Sequence, residues 1–287
     1  MTTYEERIED FWAFCTERHS AYERRAAGQP FPWSEMQFLA THRFTNIYRE
    51  LDAGTRWIRA NRPPMIRSAY AGVFAYSLYR WLNFPATFEA IGFPDLTKKS
   101  IDDWHAALMW RVESGINCNT SRHRTPHPKR LGDWALQFLD RDFRRTIEGD
   151  LILAFNGVEL AGQLVENVKG IGPFFAVQVV ADLIRDPYFA PRDKDTFMPL
   201  AVGSRMAADY IITGEHPIIG GNAGGNPTPR ETLLLTDLHD EQPKAIGDMG
   251  PDKQGPMTYT DIEHALCEAY KYFRLREGKP ARANRYP

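Results

Sequence analysis

Apolar residues return at helical intervals along most of this chain. Ile8, Phe11, Trp12, Phe14 and Cys15 make one stripe, and Phe38, Leu39, Phe44, Ile47, Tyr48 and Leu51 make another, with Pro30, Pro32 and Trp33 breaking the pattern between them. A period near that of the α-helix places each set on one buried face. After Pro63-Pro64 the run from Ile66 to Leu82 reads as a largely buried helix, and Asp95 to Gly115 continues helically from Thr97. Helices resume at Asp133, pass Phe143 and Ile152, and reach a glycine turn near Gly170. Ser204 to Ile212 is followed by a stretch over 214–256 rich in Gly, Pro and Asn, with Leu233-Leu234-Leu235 as its apolar island, which reads as a long loop or lid. A last helix spans about 258–277, with Thr260-Asp261-Ile262-Glu263 in capping-box form at its start. No run alternates as a strand does, so the expected class is all-α, one domain over 1–287 built from two helical subdomains flanking a cleft.

Composition narrows the setting. With 287 residues the chain can bury a real core, and a net charge of −2 is not that of a protein coating nucleic acid by charge alone. Any DNA contact is then a local patch, and the segment from Asn117 to Gly132, with Arg122, His123, Arg124, His127, Lys129 and Arg130, is a basic loop. Cys15, Cys118 and Cys267 are far apart in sequence, which argues against disulfides and a structural zinc and for a reduced, cytoplasmic protein. His216, His239 and His264 are too scattered to suggest a metal. Polar residues follow Met1, and no apolar run reaches spanning length, so neither a signal peptide nor a membrane partner is expected.

The most specific stretch is Val168-Lys169-Gly170-Ile171-Gly172-Pro173-Phe174-Phe175-Ala176. Glu159 to Asn167 forms one helix, the glycines permit a tight turn, and Pro173 suits the first position of a second helix, where its missing N–H is not needed. The expected product is a helix-hairpin-helix over about 159–185. The N–H groups of Gly170, Gly172 and Phe174 are placed to hold a phosphate oxygen at the positive end of the second helix, gripping DNA backbone without reading sequence.

This hairpin, followed at the expected spacing by Lys194-Asp195-Thr196-Phe197, resembles the helix-hairpin-helix DNA glycosylase superfamily. The resemblance implies a glycosylase-like fold and makes Asp195 the position of its catalytic carboxylate. Phe174 stands where bifunctional members carry a Schiff-base lysine, which speaks against strand-cleaving lyase chemistry, and Phe197-Met198 replaces the usual His-Val.

A second block, Arg43-Phe44-Thr45-Asn46-Ile47-Tyr48-Arg49-Glu50-Leu51-Asp52, places Asn46, Arg49 and Glu50 along one face if helical, with Arg43 and Asp52 nearby. On composition alone this is a solvated face. Together with Gly28-Gln29-Pro30, the run Asp261 to Glu268, and Lys271-Tyr272, however, it looks like the phage thymine-hypermodification transferases, described as α-glutamyl/putrescinyl thymine pyrophosphorylases or amino-acid:DNA transferases. The resemblance implies that an amine donor (glycine, serine, glutamate or putrescine) is joined to pyrophosphorylated 5-hydroxymethyluracil in DNA, with release of pyrophosphate. In a phage protein this would occur in the host cytoplasm.

The chemistry assigns roles to residues. Asp195 would take a proton from, or anchor, the incoming ammonium, and Asn46 would read the uracil edge through its amide. Arg43, Arg49, Arg122, His123 and Arg124, with Lys271, are the candidate cations for departing pyrophosphate, and Asp52 borders them. Tyr48, Trp57 and Phe174 are candidates to stack on an extruded base or plug the gap it leaves. A divalent ion is an optional partner of pyrophosphate, and no ligand cluster requires one. Two other readings share the hairpin: a monofunctional glycosylase using Asp195, and a DNA-binding module without catalysis. The Gly220-Gly221-Asn222-Ala223-Gly224-Gly225-Asn226 run lacks the Lys-Ser/Thr of a phosphate loop.

Overall fold

Thr3 starts the first helix through a reciprocal cap: its side chain accepts from the Glu6 N–H, and the Glu6 carboxylate accepts from the Thr3 N–H. The computed structural model describes residues 2–61, 68–119, 127–149, 156–186, 192–193, 196–217, 226–243, 246, 256–281 and 283–286. Asp195, Arg122, His123, Arg124 and residues 220–225 of the glycine run lie outside them. Thirteen α-helices and no strands occur among the described residues, the one sheet-like pairing being a bridge between His42 and Arg285. The all-α expectation therefore holds. Two compact units divide the chain, Met1–Asp52 with Asp195–Pro287, and Ala53–Lys194.

The first unit contains α1 (Tyr4–Ala26), α2 (Gln37–Thr41), α11 (Val202–Thr213), α12 (Pro229–Asp240) and α13 (Tyr259–Arg276). The closest packing is of α13 on α11. Small residues permit it: Gly203, Ala207 and Ala208 face α13, and a Cβ on Gly203 would come within 2.5 Å of the Cys267 sulfur. Around this contact lie Phe11, Phe14, Ile262, Leu266 and Phe273, all removed from water. Arg7 of α1 reaches across to the end of α11, where its Nε donates to the Ile211 carbonyl at 2.7 Å, a cation at the negative end of a helix.

The second unit contains α3 (Ala53–Ala60), α4 (Ala69–Leu82), α5 (Pro85–Ile91), α6 (Lys98–Glu113), α7 (Leu131–Leu136), α8 (Arg141–Gly149), α9 (Gly157–Asn167) and α10 (Pro173–Leu183). Ser68 caps α4, whose residues from Tyr70 to Leu82 are all buried, and α10 packs on both α4 and α9. Every residue of α10 from Ala176 to Leu183 is buried, the polar Gln178 and Asp182 among the apolar ones.

Three expectations need correction. The stretch 214–256 is not all loop, because α12 lies within it; Thr228 and Glu231 form a capping box, Pro229 takes the first helical position, and Leu234, Leu235 and Leu238 are buried. The cap of α13 is Thr258 with Asp261, two residues before the expected Thr260. The block from Arg43 to Asp52 is not a helix: it runs extended to a short 3₁₀ turn at Arg49–Leu51.

Candidate functional site

In the second unit, the candidate feature is the turn between α9 and α10. Asn156 caps α9 by accepting from the Val158 and Glu159 N–H groups. The chain then reverses between the buried anchors Val168 and Ile171, with a bond of 3.1 Å from the Ile171 N–H to the Val168 carbonyl. Gly170 has φ +86°, and its backbone lies so close to the Trp134 ring that no side chain fits. The turn is held from outside: Gln137 Oε1 accepts from the Lys169 N–H at 2.9 Å, and Trp81 Nε1 donates to the Gly170 carbonyl at 3.3 Å.

Gly172 differs from Gly170. It sits before Pro173 at an ordinary φ of −84°, and nothing lies within 4 Å of where a Cβ would be. Gly170 and Gly172 are exposed, and neither N–H donates to any described residue. The fold thus dictates a glycine at 170 and leaves open space at 172. Phe174, half-buried, packs edge-on against Phe175.

In the first unit, polar residues converge where the extended segment crosses α13. The Thr45 N–H donates to Glu268 Oε2 at 3.1 Å, Thr45 Oγ1 meets His264 Nε2 at 3.0 Å, and the Arg49 N–H donates to Asp261 Oδ1 at 2.9 Å. These carboxylates satisfy backbone donors that a helix would have satisfied internally, which is why the segment stays extended. Asn46 Oδ1 accepts from the Tyr48 N–H at 3.0 Å, a local turn that completes the departure from helix. On the same α13 surface Lys271 bonds Glu268, while Glu263 accepts from Ser204 Oγ at 2.7 Å and from the Ala201 N–H, at the start of α11.

Electrostatics sort these groups into distinct states. Burial, helped by the Arg49 charge, pushes the His264 ring down to about 4 against the opposing pull of Glu268, Asp52 and Asp261, so it is neutral at pH 7. Burial pushes Glu268 upward, but the Lys271 charge and hydrogen bond, with the Thr45 N–H, outweigh it and hold its carboxyl below the usual range. Glu263 is raised by burial against the hydrogen bond from Ser204. A titration consequence follows for His264. Between its ordinary value of 6.5 and about 4 the unfolded chain holds a proton that the folded chain refuses, so stability present above pH 6.5 is lost as pH falls toward 4. Melting temperatures of the wild type and His264→Gln between pH 7 and 4.5 check this; the variant is expected to lose less stability across that window, and equal losses would contradict the assignment.

The structure brings Arg49, Asp52 and Lys271 into this cluster with Asp261, His264 and Glu268. Asn46 and Arg49 are buried, the latter only 2 % exposed. Tyr48 lies in the core, also 2 % exposed, its hydroxyl donating to the Ile246 carbonyl at 2.6 Å and its ring edge-on to His19, a geometry that leaves no face for a stacked base. Arg43 is elsewhere on the unit, exposed and lying over the Tyr286 ring at 5.7 Å. Sequence reasoning did not single out His264, Glu268, Asp261, Glu263 or Ser204 as site residues. The signal was present as the i, i+4 pair His264 and Glu268 with Lys271 three residues on, which places them along one side of a helix. Among the described residues no three His, Cys, Asp or Glu side chains form a metal site, and no helix is long and apolar enough to cross a membrane.

By architecture this is an all-helical protein, with a solvent-facing glycine turn in one unit and a buried acid-base cluster in the other. The chain belongs to the family described as 5-hmdU DNA kinase, helical domain, whose model matches residues 5–281. The family takes its description from enzymes that modify DNA. No curated protein and no solved structure matches the chain.

Proposed function

We propose that this chain acts on DNA carrying a base derived from 5-hydroxymethyl-deoxyuridine and joins an amine to the base's methylene carbon as pyrophosphate departs. The observation that carries the DNA-modifying part is the family match across residues 5–281. The turn at Gly170 and Gly172 supports a grip on the phosphate backbone: two exposed N–H groups stand at the start of an eleven-residue helix, where the dipole favours an anion. The transfer itself rests on the sequence resemblance. A helix-hairpin-helix scaffold of the glycosylase kind suits a reaction on an extruded base.

In this reading the donor ammonium loses one proton to Asp195, its nitrogen forms a bond to the methylene carbon, and the carbon–oxygen bond to pyrophosphate breaks. In this reading Arg49 and Lys271 supply positive charge to the leaving group. His264, neutral at pH 7, keeps Thr45 and the extended segment in register without adding charge.

The test is a nucleoside digest read by mass spectrometry. DNA containing 5-hydroxymethyl-deoxyuridine, and its pyrophosphorylated form, are incubated with the protein and a mixture of glycine, serine, glutamate and putrescine. An adduct mass on the pyrophosphorylated DNA alone supports transfer and identifies the donor. Phosphorylation of the hydroxymethyl base with ATP, or abasic sites without an adduct, would replace transfer by kinase or glycosylase chemistry. Asp195→Asn is expected to slow adduct formation roughly 10²- to 10⁴-fold, the usual worth of a positioned general base.

A further inference from the structure

The surface around the C-terminal tail is unlike the rest of the first unit. Residues 284–286 lie along the extended segment through two backbone bonds, from the Arg43 N–H to the Asn284 carbonyl at 2.7 Å and from the Tyr286 N–H to the Thr41 carbonyl at 3.0 Å. They bring Arg285 and Tyr286 beside Arg43, and beside Arg25 and Trp33 from the end of α1 and the turn after it. Phe31, Trp33 and Tyr286 meet mutually edge-to-face, with centroids 5.2 to 5.7 Å apart. Phe31 is nevertheless 51 % exposed.

Arginines are laid on these rings. The Arg25 guanidinium lies 5.2 Å from the Trp33 centroid and that of Arg43 lies 5.7 Å from Tyr286. A narrow cleft between them is floored by Arg18, whose Nε and Nη2 both donate to the Phe44 carbonyl. None of Arg18, Arg25, Arg43 and Arg285 has a carboxylate within 4.0 Å among the described residues, whereas neighbouring Arg24 is paired with Glu17 at 2.8 Å. In a chain of net charge −2, this is a local concentration of positive charge that the fold does not neutralise.

Fastening the tail accounts for Tyr286, but not for three exposed arginines without acids or for a phenylalanine left half in water. Guanidiniums beside a cluster of aromatic rings, one of them half in water, are what a single strand of nucleic acid uses, its phosphates on the cations and its bases on the rings, without dependence on sequence. We infer that this surface, formed by Arg25, Phe31, Trp33, Arg43, Arg285 and Tyr286, binds a single-stranded segment of DNA. The inference rests on the reading that the chain acts on DNA, and adds a contact separate from the glycine turn. It is indifferent to the group transferred.

The test uses the full chain and an unmodified single-stranded oligo-dT, with a duplex of the same length alongside, followed by fluorescence anisotropy at several salt concentrations. In the triple variant Arg25→Gln, Arg43→Gln, Arg285→Gln, affinity for the single strand is expected to fall at least tenfold. The slope of log affinity against log salt should shrink by roughly 2, since each lost phosphate contact on a single strand is worth about 0.7. Duplex affinity, governed by the turn, should change much less. Photocrosslinking of 5-iodo-deoxyuridine oligonucleotides should map to peptides holding Trp33 or Tyr286. An unchanged single-strand affinity and slope in the variant overturns the surface and leaves the DNA reading intact. Wild-type protein that binds duplex but not the single strand does the same, and protein that binds neither overturns both.

Discussion

Asp182→Ala is expected to destabilise the second unit by about 3–5 kcal/mol, the usual consequence of leaving a buried charge without its partner. Arg80 of α4 and Asp182 of α10 face each other with side chains only 6 % and 1 % exposed. The pair is bidentate: Nε bonds one carboxylate oxygen, and Nη2 bonds the other at 2.7 Å. Arg80 also donates from Nη2 to Thr55 Oγ1 at 2.9 Å and from Nη1 to Asn83 Oδ1 at 3.2 Å, so one guanidinium joins α10 to α3 and to the end of α4. Removing the carboxylate strands that cation between apolar helices. Replacing both partners together, as Arg80→Met with Asp182→Leu, should recover most of the loss, because the cost lies in the unpaired charge and not in the absence of the pair. Urea unfolding of the three proteins measures this. A loss below about 1 kcal/mol for Asp182→Ala, the range of a solvent-exposed pair, would show that water reaches the site.

The glycine turn gives the second large effect, and its two members should separate. Gly170→Ala forces a side chain into a left-handed conformation, costing about 1–2 kcal/mol, and drives a Cβ into the Trp134 ring, costing about 1–3 kcal/mol more. Thermal unfolding of the second unit should shift downward by several degrees. Gly172→Ala meets no neighbour and keeps an allowed φ, so its stability should stay within about 0.5 kcal/mol of wild type. Its methyl group would instead occupy the space before α10 where a phosphate oxygen is proposed to sit. Duplex affinity is therefore expected to fall roughly tenfold at unchanged stability. Wild-type affinity in Gly172→Ala would argue that the open space at that helix start serves no ligand. The Arg80–Asp182 pair bears on the same point, since it holds the helix whose first turn presents these donors.

Much of the helical frame was legible along the chain. The stripe through Phe11, Phe14 and Cys15, the start at Thr97, and Pro173 at a first helical position are local signals, and each marks a helix the structure contains. The glycine turn was legible for the same reason, since a positive φ at Gly170 and a proline after Gly172 depend on neighbours in sequence. The block from Arg43 to Asp52 was misread because its apolar spacing is helical while its backbone donors are taken by Glu268 and Asp261, more than two hundred residues away. Likewise α12 was hidden in a stretch dominated by Gly and Pro, where Leu234, Leu235 and Leu238 become a helix face only once α11 and α13 are there to cover it.

Sequence by itself determined the helical class, several helix boundaries and the position of the glycine turn, because hydrogen bonds within four residues, side-chain caps and glycine stereochemistry act over short stretches of chain. Tertiary structure alone decided that Thr45 and Arg49 would meet His264, Glu268 and Asp261, that Tyr48 would be core, and that Arg43 would lie with the C-terminal tail and not with Arg49. Those outcomes depend on which distant carboxylate satisfies which backbone N–H and on which apolar faces exclude water together, and no local pattern encodes either choice.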